Sequence, residues 1–329
     1  MVEIKVANRA RKQAAVVLAM LALASCATSE AGRDALQGPY LRVLGTAQDG
    51  GCPQMGAEHV LDRKAWEDPR HKRLVTSVLI ADPVSGQRWL LDASPDIKEQ
   101  VENARFDPPN RERRPGRPPL FDGIFLTHAH IGHYTGLLHF GREAYAAEGQ
   151  PVFASDSMAT FLESNGPWEL LVRLGHIKIT RIAPGEVVKL NDRLSLKVHV
   201  VPHRAEDTDT LAFEVRGPKA TVLYLPDIDK WELWDTSLES MLDQVDLALM
   251  DGTFYDEGEV PGRSMAEIPH PFMVETMTRL TDSPRSRRAK VCFLHLNHSN
   301  PASDPDSSEH RSLLEFGFRV ASDGMTFGL

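Results

Sequence analysis

Three histidines fall close together, at His128, His130 and His133, directly after an apolar run. Neutral imidazole donates a lone pair near pH 7 and is the commonest side-chain ligand of zinc and iron. Side chains of an irregular turn can converge on one point, whereas those of a strand face alternate sides. Elsewhere Asp92, His203, Asp227, Asp251 and His295 also lie just beyond apolar runs. Strand ends are rigid supports, so side chains there can meet in one cleft. His128, His130 and His203 can fill three corners of a tetrahedral metal site, with water in the fourth. Asp227 can bridge to a second metal whose other ligands are His133 and His295. Two such ions, about 3.5–4 Å apart, would share a hydroxide and lower the pKa of water from about 16 to about 7.

Each residue also has an ordinary reading. His203 can be a capped histidine at a strand end, and Asp227 can be a turn former in Pro226-Asp227-Ile228-Asp229. His295 is preferred to His298 as a ligand because it is nearest the strand. His298 is read as supporting a ligand from behind, contacting substrate or donating a proton to a leaving group. Asp92 is read as orienting the loop or a ligand rather than binding metal. His59, His71, His139, His176, His199, His270 and His310 are read as ordinary.

The elements that must carry these residues are set by apolar periodicity. Residues 121–126 read as a buried strand and residues 134–145 as a helix after the histidine turn. Strands are expected at 40–44, 75–81, 88–91, 151–154, 177–182, 187–190, 194–201, 211–215, 221–225, 245–250 and 291–294. Ser94 followed by Pro95 predicts a helix from there to about 104, and further helices are expected from Asp156 and near 308–316. Residues 106–119, rich in proline and arginine, read as an exposed loop. The order of strands and helix, then strands and helix again, suits two similar α/β halves packed sheet to sheet with helices outside.

The chain has 329 residues, 42% hydrophobic and 25% charged, with a formal charge of −9. That is ordinary globular composition, and the acidic balance argues against nucleic acid as the main partner. The N-terminus is different material. Lys5, Arg9, Arg11 and Lys12 precede an apolar stretch at 14–24 that is too short to span a membrane. It ends in Leu23-Ala24-Ser25-Cys26, which resembles a bacterial lipobox and implies cleavage before Cys26, lipidation of its thiol and export. Residues 1–25 are therefore expected to be a signal peptide, 26–38 a tether and 39–329 the folded domain. Membrane contact is expected only through the lipid on Cys26. Cys292 reads as a buried small hydrophobe and Cys52 as a loop thiol.

His128-Ala129-His130-Ile131-Gly132-His133 resembles the HxHxDH motif of the metallo-β-lactamase superfamily, with His203, Asp227 and His295 in its later ligand positions. Leu44-Gly45-Thr46-Ala47 with Gly50-Gly51-Cys52-Pro53-Gln54 resembles the opening of one branch, the pyrroloquinoline quinone biosynthesis protein B family. Ala93-Ser94-Pro95-Asp96-Ile97, Asp251-Gly252-Thr253-Phe254, His295-Leu296-Asn297 and Ser322-Asp323-Gly324-Met325 resemble its later blocks. The resemblance covers about residues 41–329 and implies a four-layer αββα metallo-β-lactamase sandwich. It also implies a hydrolase binding one or two Zn2+ ions, acting on an ester, amide, lactone or phosphodiester in a small-molecule or peptide substrate. Two features depart from the pattern. Gly132 stands where the motif has aspartate, which leaves the second site with His133, Asp227 and His295, a donor set also suited to iron. The stretch after the opening block, Met55-Gly56-Ala57-Glu58-His59, lacks the branch's zinc-binding cysteines. The rival readings are an iron-dependent oxygenase and a binding protein with a decayed site.

Overall fold

The computed structural model describes residues 37–112, 115–259 and 268–329. The expected signal peptide, most of the tether and Cys26 lie outside the described residues. Among the described residues no helix is long and apolar enough to cross a membrane.

The apolar runs form two seven-stranded mixed sheets. The first takes β1 (Tyr40–Gly45), β2 (Ser77–Asp82), β3 (Gln87–Leu91), β4 (Gly123–Phe125), β5 (Gln150–Ala154) and β6 (Ile177–Arg181) in sequence order. The second takes β7 (Val187–Lys189), β8 (Ser195–Val201), β9 (Thr210–Arg216), β10 (Thr221–Leu225), β11 (Leu247–Asp251), β12 (Val291–Leu294) and β13 (Arg319–Val320). The last strand, β14 (Thr326–Gly328), returns to pair with β1. Each half is built alike. Antiparallel ladders run β1–β2–β3 and β8–β9–β10, and parallel ladders run β3–β4–β5–β6 and β10–β11–β12–β13. Asp92 after β3 and Asp227 after β10 therefore occupy corresponding places in the two halves.

The core lies where the sheets face each other. Leu41, Val78, Ile80, Leu91 and Phe125 from one sheet pack with Leu196, Val198, Phe213, Tyr224, Leu249 and Leu294 from the other. Phe125 stacks on Phe153 at 4.4 Å and meets Phe213 edge-on at 5.8 Å. A second apolar cluster, including Leu225, Trp231, Met241, Leu242, Met250, Met273 and Phe293, covers the other face of the second sheet. This is the αββα sandwich the resemblance implied.

Two local expectations are corrected. The helix expected over residues 134–145 is instead one short turn, Ile131–Tyr134, followed by a 3-10 segment, Thr135–Phe140. The cause is close packing. Gly136 N donates to Ala93 O at 2.9 Å, and a Cβ on Gly136 would sit 2.1 Å from Ser94 O. The chain must pass Ser94 too tightly for an α-helix with side chains on that face. The helix expected from Ser94 begins later, at Ile97, because Ser94 Oγ donates to Gln100 Oε1 and its carbonyl accepts from Ile97 N.

Candidate metal centre

Every expected ligand comes from the end of a strand. The histidine turn follows β4 and is stapled to the end of β3: Asp92 N donates to Phe125 O, Ala93 N to His133 O and His133 N to His130 O. From the second sheet, His203 follows β8 through Pro202, Asp227 follows β10 through Pro226, and Asp229 N donates to Pro202 O, tying those two turns together. His295 follows β12. Asp92 and His295 both have left-handed backbone, with φ of 63° and 62°. That conformation costs about 1–2 kcal/mol for a residue with a Cβ, and it turns these side chains abruptly off the sheet edge.

The structure brings His128, His130, His133, His203, Asp227 and His295 together. His128 Nε2 is 2.8 Å from His130 Nδ1, and His203 Nε2 is 3.3 Å from the same atom. Asp227 lies beside both groups, with Oδ1 at 3.7 Å from His203 Nε2 and Oδ2 at 4.0 Å from His128 Nε2. Oδ2 is also 3.0 Å from His133 Nε2 and 3.4 Å from His295 Nε2.

The outer nitrogens decide the tautomers. His133 Nδ1 faces Asp92 Oδ2 at 2.8 Å, and His203 Nδ1 faces Asp229 Oδ1 at 3.0 Å. His130 Nε2 faces Glu206 Oε2 at 3.3 Å. His128 Nδ1 is 3.0 Å from Thr127 Oγ1, whose own proton goes to Asp92. His295 Nδ1 is 3.0 Å from Thr253 Oγ1, whose proton goes to Asp251 at 2.7 Å. Each outer nitrogen therefore donates to an oxygen, and each neutral ring turns a lone pair inward. Lone pairs that face one another within about 3 Å repel unless a positive charge lies between them.

Four of the inward atoms, His133 Nε2, His295 Nε2, Asp227 Oδ2 and Asp49 Oδ1, are buried and make no hydrogen bond. An unpaired buried polar atom costs about 1–3 kcal/mol, so four together call for a ligand. The carboxylates call for positive charge here, which a proton on His133 supplies when no cation does. Burial pushes the His133 pKa down, but the Asp92 and Asp227 carboxylates outweigh it and hold it well above the ordinary value. Burial also pushes Asp227 up, but the charges of His295 and His133 hold it well below the usual carboxylate range. His128 is pushed well below its ordinary value by burial and by His133. The donor set fits cations: three imidazoles with a carboxylate on one side, two imidazoles with carboxylates on the other.

The structure bears on two predicted roles, and only that of His298 is corrected. Asp92 is fully buried, and its oxygens are committed to Thr127, His133 Nδ1 and Tyr224 Oη. It positions His133 and faces none of the inward atoms. The proton-donor role expected of His298 does not match its place: Nδ1 is bonded to Asp62 Oδ2 at 2.7 Å, and the ring meets His59.

Sequence reasoning missed Asp49 and His270. Asp49 lies in the glycine-rich loop after β1, with Oδ1 at 3.4 Å from His133 Nε2 and 3.7 Å from His295 Nε2. His270 Nδ1 donates to Asp251 Oδ2 at 2.7 Å, and its ring lies 5.1 Å from that of His203. Neither follows an apolar run; only an acidic residue in a loop able to approach a ligand marked Asp49.

Comparison with known proteins agrees with this architecture. A family model described as the β-lactamase superfamily domain matches residues 87–296. Coenzyme PQQ synthesis protein B of Methylorubrum extorquens strain PA1 is 27% identical, covering 88% of this chain and 100% of its own. The protein of the same name from Cupriavidus necator is 29% identical, covering 88% and 99%. The crystal structure of Zn2+-bound PqqB from Methylobacterium extorquens superposes with a TM-score of 0.73 at 23% identity, covering 88% of this chain and 100% of that one. A diphosphatase of the PhnP family superposes with a TM-score of 0.61 at 21% identity, covering 89% and 98%. With this fold and a family model over residues 87–296, the chain belongs to the metallo-β-lactamase-fold superfamily, and its sequence is similar to that of coenzyme PQQ synthesis protein B.

Proposed function

We propose that the protein is a metal-dependent hydrolase acting on an ester, amide, lactone or phosphodiester bond. His128, His130, His203 and Asp227 would hold one cation, and His133, His295 and Asp227 a second. When bound, such ions supply a water acidified toward neutral pH and a Lewis acid for the substrate's oxygen. The observation that carries the reading is the convergence of inward lone pairs whose outer nitrogens are all fixed by oxygens.

The chain's own residues do the rest. Asp92, Thr127, Thr253 and Asp229 keep the imidazoles in the tautomer that presents a lone pair. His130 is the most open of the ligand imidazoles, with 19% of its side chain exposed against 1% for His128, so substrate is expected to enter from its side. His270, held by Asp251 and 3.8 Å from Asp227, takes the proton-delivery role in place of His298.

Elemental analysis of the purified protein, together with assays on generic ester, lactone and phosphodiester substrates before and after chelation, tests the reading. The expected result is zinc in the protein, loss of turnover on chelation and its return with zinc. A protein that holds no metal and keeps its activity and stability in chelator contradicts it. The second reading, an iron oxygenase, is favoured by the two imidazoles and carboxylate at the second position. It predicts iron in the protein and oxygen uptake with substrate, and hydrolysis supported by zinc alone excludes it.

A further inference from the structure

We propose that Asp49 supplies the second cation's own carboxylate, replacing from a different loop the aspartate that the histidine motif lacks at Gly132. The proposal rests on the cation-binding reading above and extends it to a residue outside the motif.

The first observation is steric. A Cβ built on Gly132 would lie 2.1 Å from Asp49 Oδ1, 3.0 Å from its Cγ and 2.9 Å from its Cα. Any side chain at position 132 would start inside the volume Asp49 now fills. Gly132 does not have the left-handed backbone that would call for glycine. Space calls for it. Glycine at 132 and aspartate at 49 are thus two parts of one arrangement, in which the room a side chain at 132 would need is filled by the Asp49 carboxylate.

The second observation is geometric. Asp49 Oδ1 and Asp227 Oδ2 face both His133 Nε2 and His295 Nε2, with the four nitrogen-to-oxygen separations at 3.4, 3.0, 3.7 and 3.4 Å. Four donors about 2.0–2.2 Å from a tetrahedral ion lie about 3.3–3.6 Å from one another. All four atoms are buried and lack a hydrogen bond. Asp49 Oδ1 is buried against the imidazoles even though the side chain as a whole is 21% exposed.

The third observation is that the loop carrying Asp49 is rigidly tied to the other ligands. Leu296 N donates to Thr46 O and Gln48 N to Leu296 O, at 2.8 and 2.9 Å, so the residue after His295 is laced to the residue before Asp49. Thr76 N donates to Ala47 O and Gly51 N to Gln48 O, both at 2.8 Å, fixing the loop on its other side. A carboxylate so mounted loses little conformational freedom on binding an ion, which favours affinity.

The test is zinc stoichiometry and affinity by equilibrium dialysis and elemental analysis on the full chain, comparing wild type with Asp49→Asn, Asp49→Ala and the double variant Asp49→Gly/Gly132→Asp. Circular dichroism and thermal melts check that each is folded. Asp49→Asn keeps the side chain's shape, so it tests the charge without depending on a repacked loop. The expected result is two zinc ions in wild type, and one tightly held ion in Asp49→Asn and Asp49→Ala, with affinity for the second weakened about 100-fold. The double variant should regain second-site binding once the loop backbone shifts by a few tenths of an ångström. Two ions bound with wild-type affinity in the folded Asp49→Asn protein would overturn the proposal and leave the metal reading standing. A single ion in wild type would also overturn it alone, whereas no ion in wild type would overturn both.

Discussion

Asp92 is the residue whose loss should tell most about how the imidazoles are held. It is fully buried and donates nothing; it accepts from Thr127 N, Thr127 Oγ1, Tyr224 Oη and His133 Nδ1. Asp92→Asn keeps its shape but removes the negative charge and turns one acceptor into a donor facing groups that all donate to it in the native fold. Breaking a buried charged network of this kind costs about 3–5 kcal/mol, and removing a ligand's support costs about 10–100-fold in metal affinity. Chemical denaturation and zinc titration should both register it. At the same scale His270 and His298 make opposite forecasts. His270→Ala should lower kcat by about 10²-fold with the metal content unchanged, the size expected of a lost proton donor. His298→Ala should leave kcat within a few-fold, because its imidazole is spent on Asp62. A large kcat loss in His298→Ala alone would restore the role first expected of it.

The elements show what sequence can and cannot convey. The strands are legible because buried strands read as short apolar runs, and the polar residues ending those runs mark His128, Asp227 and His295 directly. The backbone beyond each strand end is less legible. Nothing in the pattern announces left-handed backbone at Asp92 and His295, since φ there is set by tertiary packing rather than by the residue type. The 3-10 segment Thr135–Phe140 reads as part of an α-helix because Leu137, Leu138 and Phe140 keep helical spacing, while the constraint lies in a distant backbone, Ala93–Ser94. Asp49 and His270 escape the pattern for the same reason: each acts through neighbours far away in the chain. Gly136→Ala tests the constraint on the turn. A Cβ 2.1 Å from Ser94 O forces backbone apart, so stability should fall by about 1–3 kcal/mol, with weaker binding at His133. An unchanged melting temperature would show that the turn has room to spare.

At the level of the whole molecule, two sheets of matching topology place strand ends from both halves at one edge, and the cluster forms there with Asp227 between its two sides. Burial reaches the cysteines as well. Cys52 and Cys292 are both buried and unpaired, and burial pushes the Cys292 thiol up to about 12. Neither should react with a thiol reagent in the native fold, and both should react on unfolding; rapid labelling of the native domain would contradict this packing. The lipobox-like Leu23–Cys26 adds a proposal about location: Cys26→Ala should move the protein out of the membrane fraction, and unchanged fractionation would count against lipid anchoring. A two-cation centre around Asp227 would be visible in an anomalous difference map at the zinc edge from zinc-soaked crystals. The expected result is two peaks about 3.5–4 Å apart, one among His128, His130 and His203 and one among His133, His295 and Asp49. A map without density at either position, with the inward nitrogens bonded only to water, would contradict it.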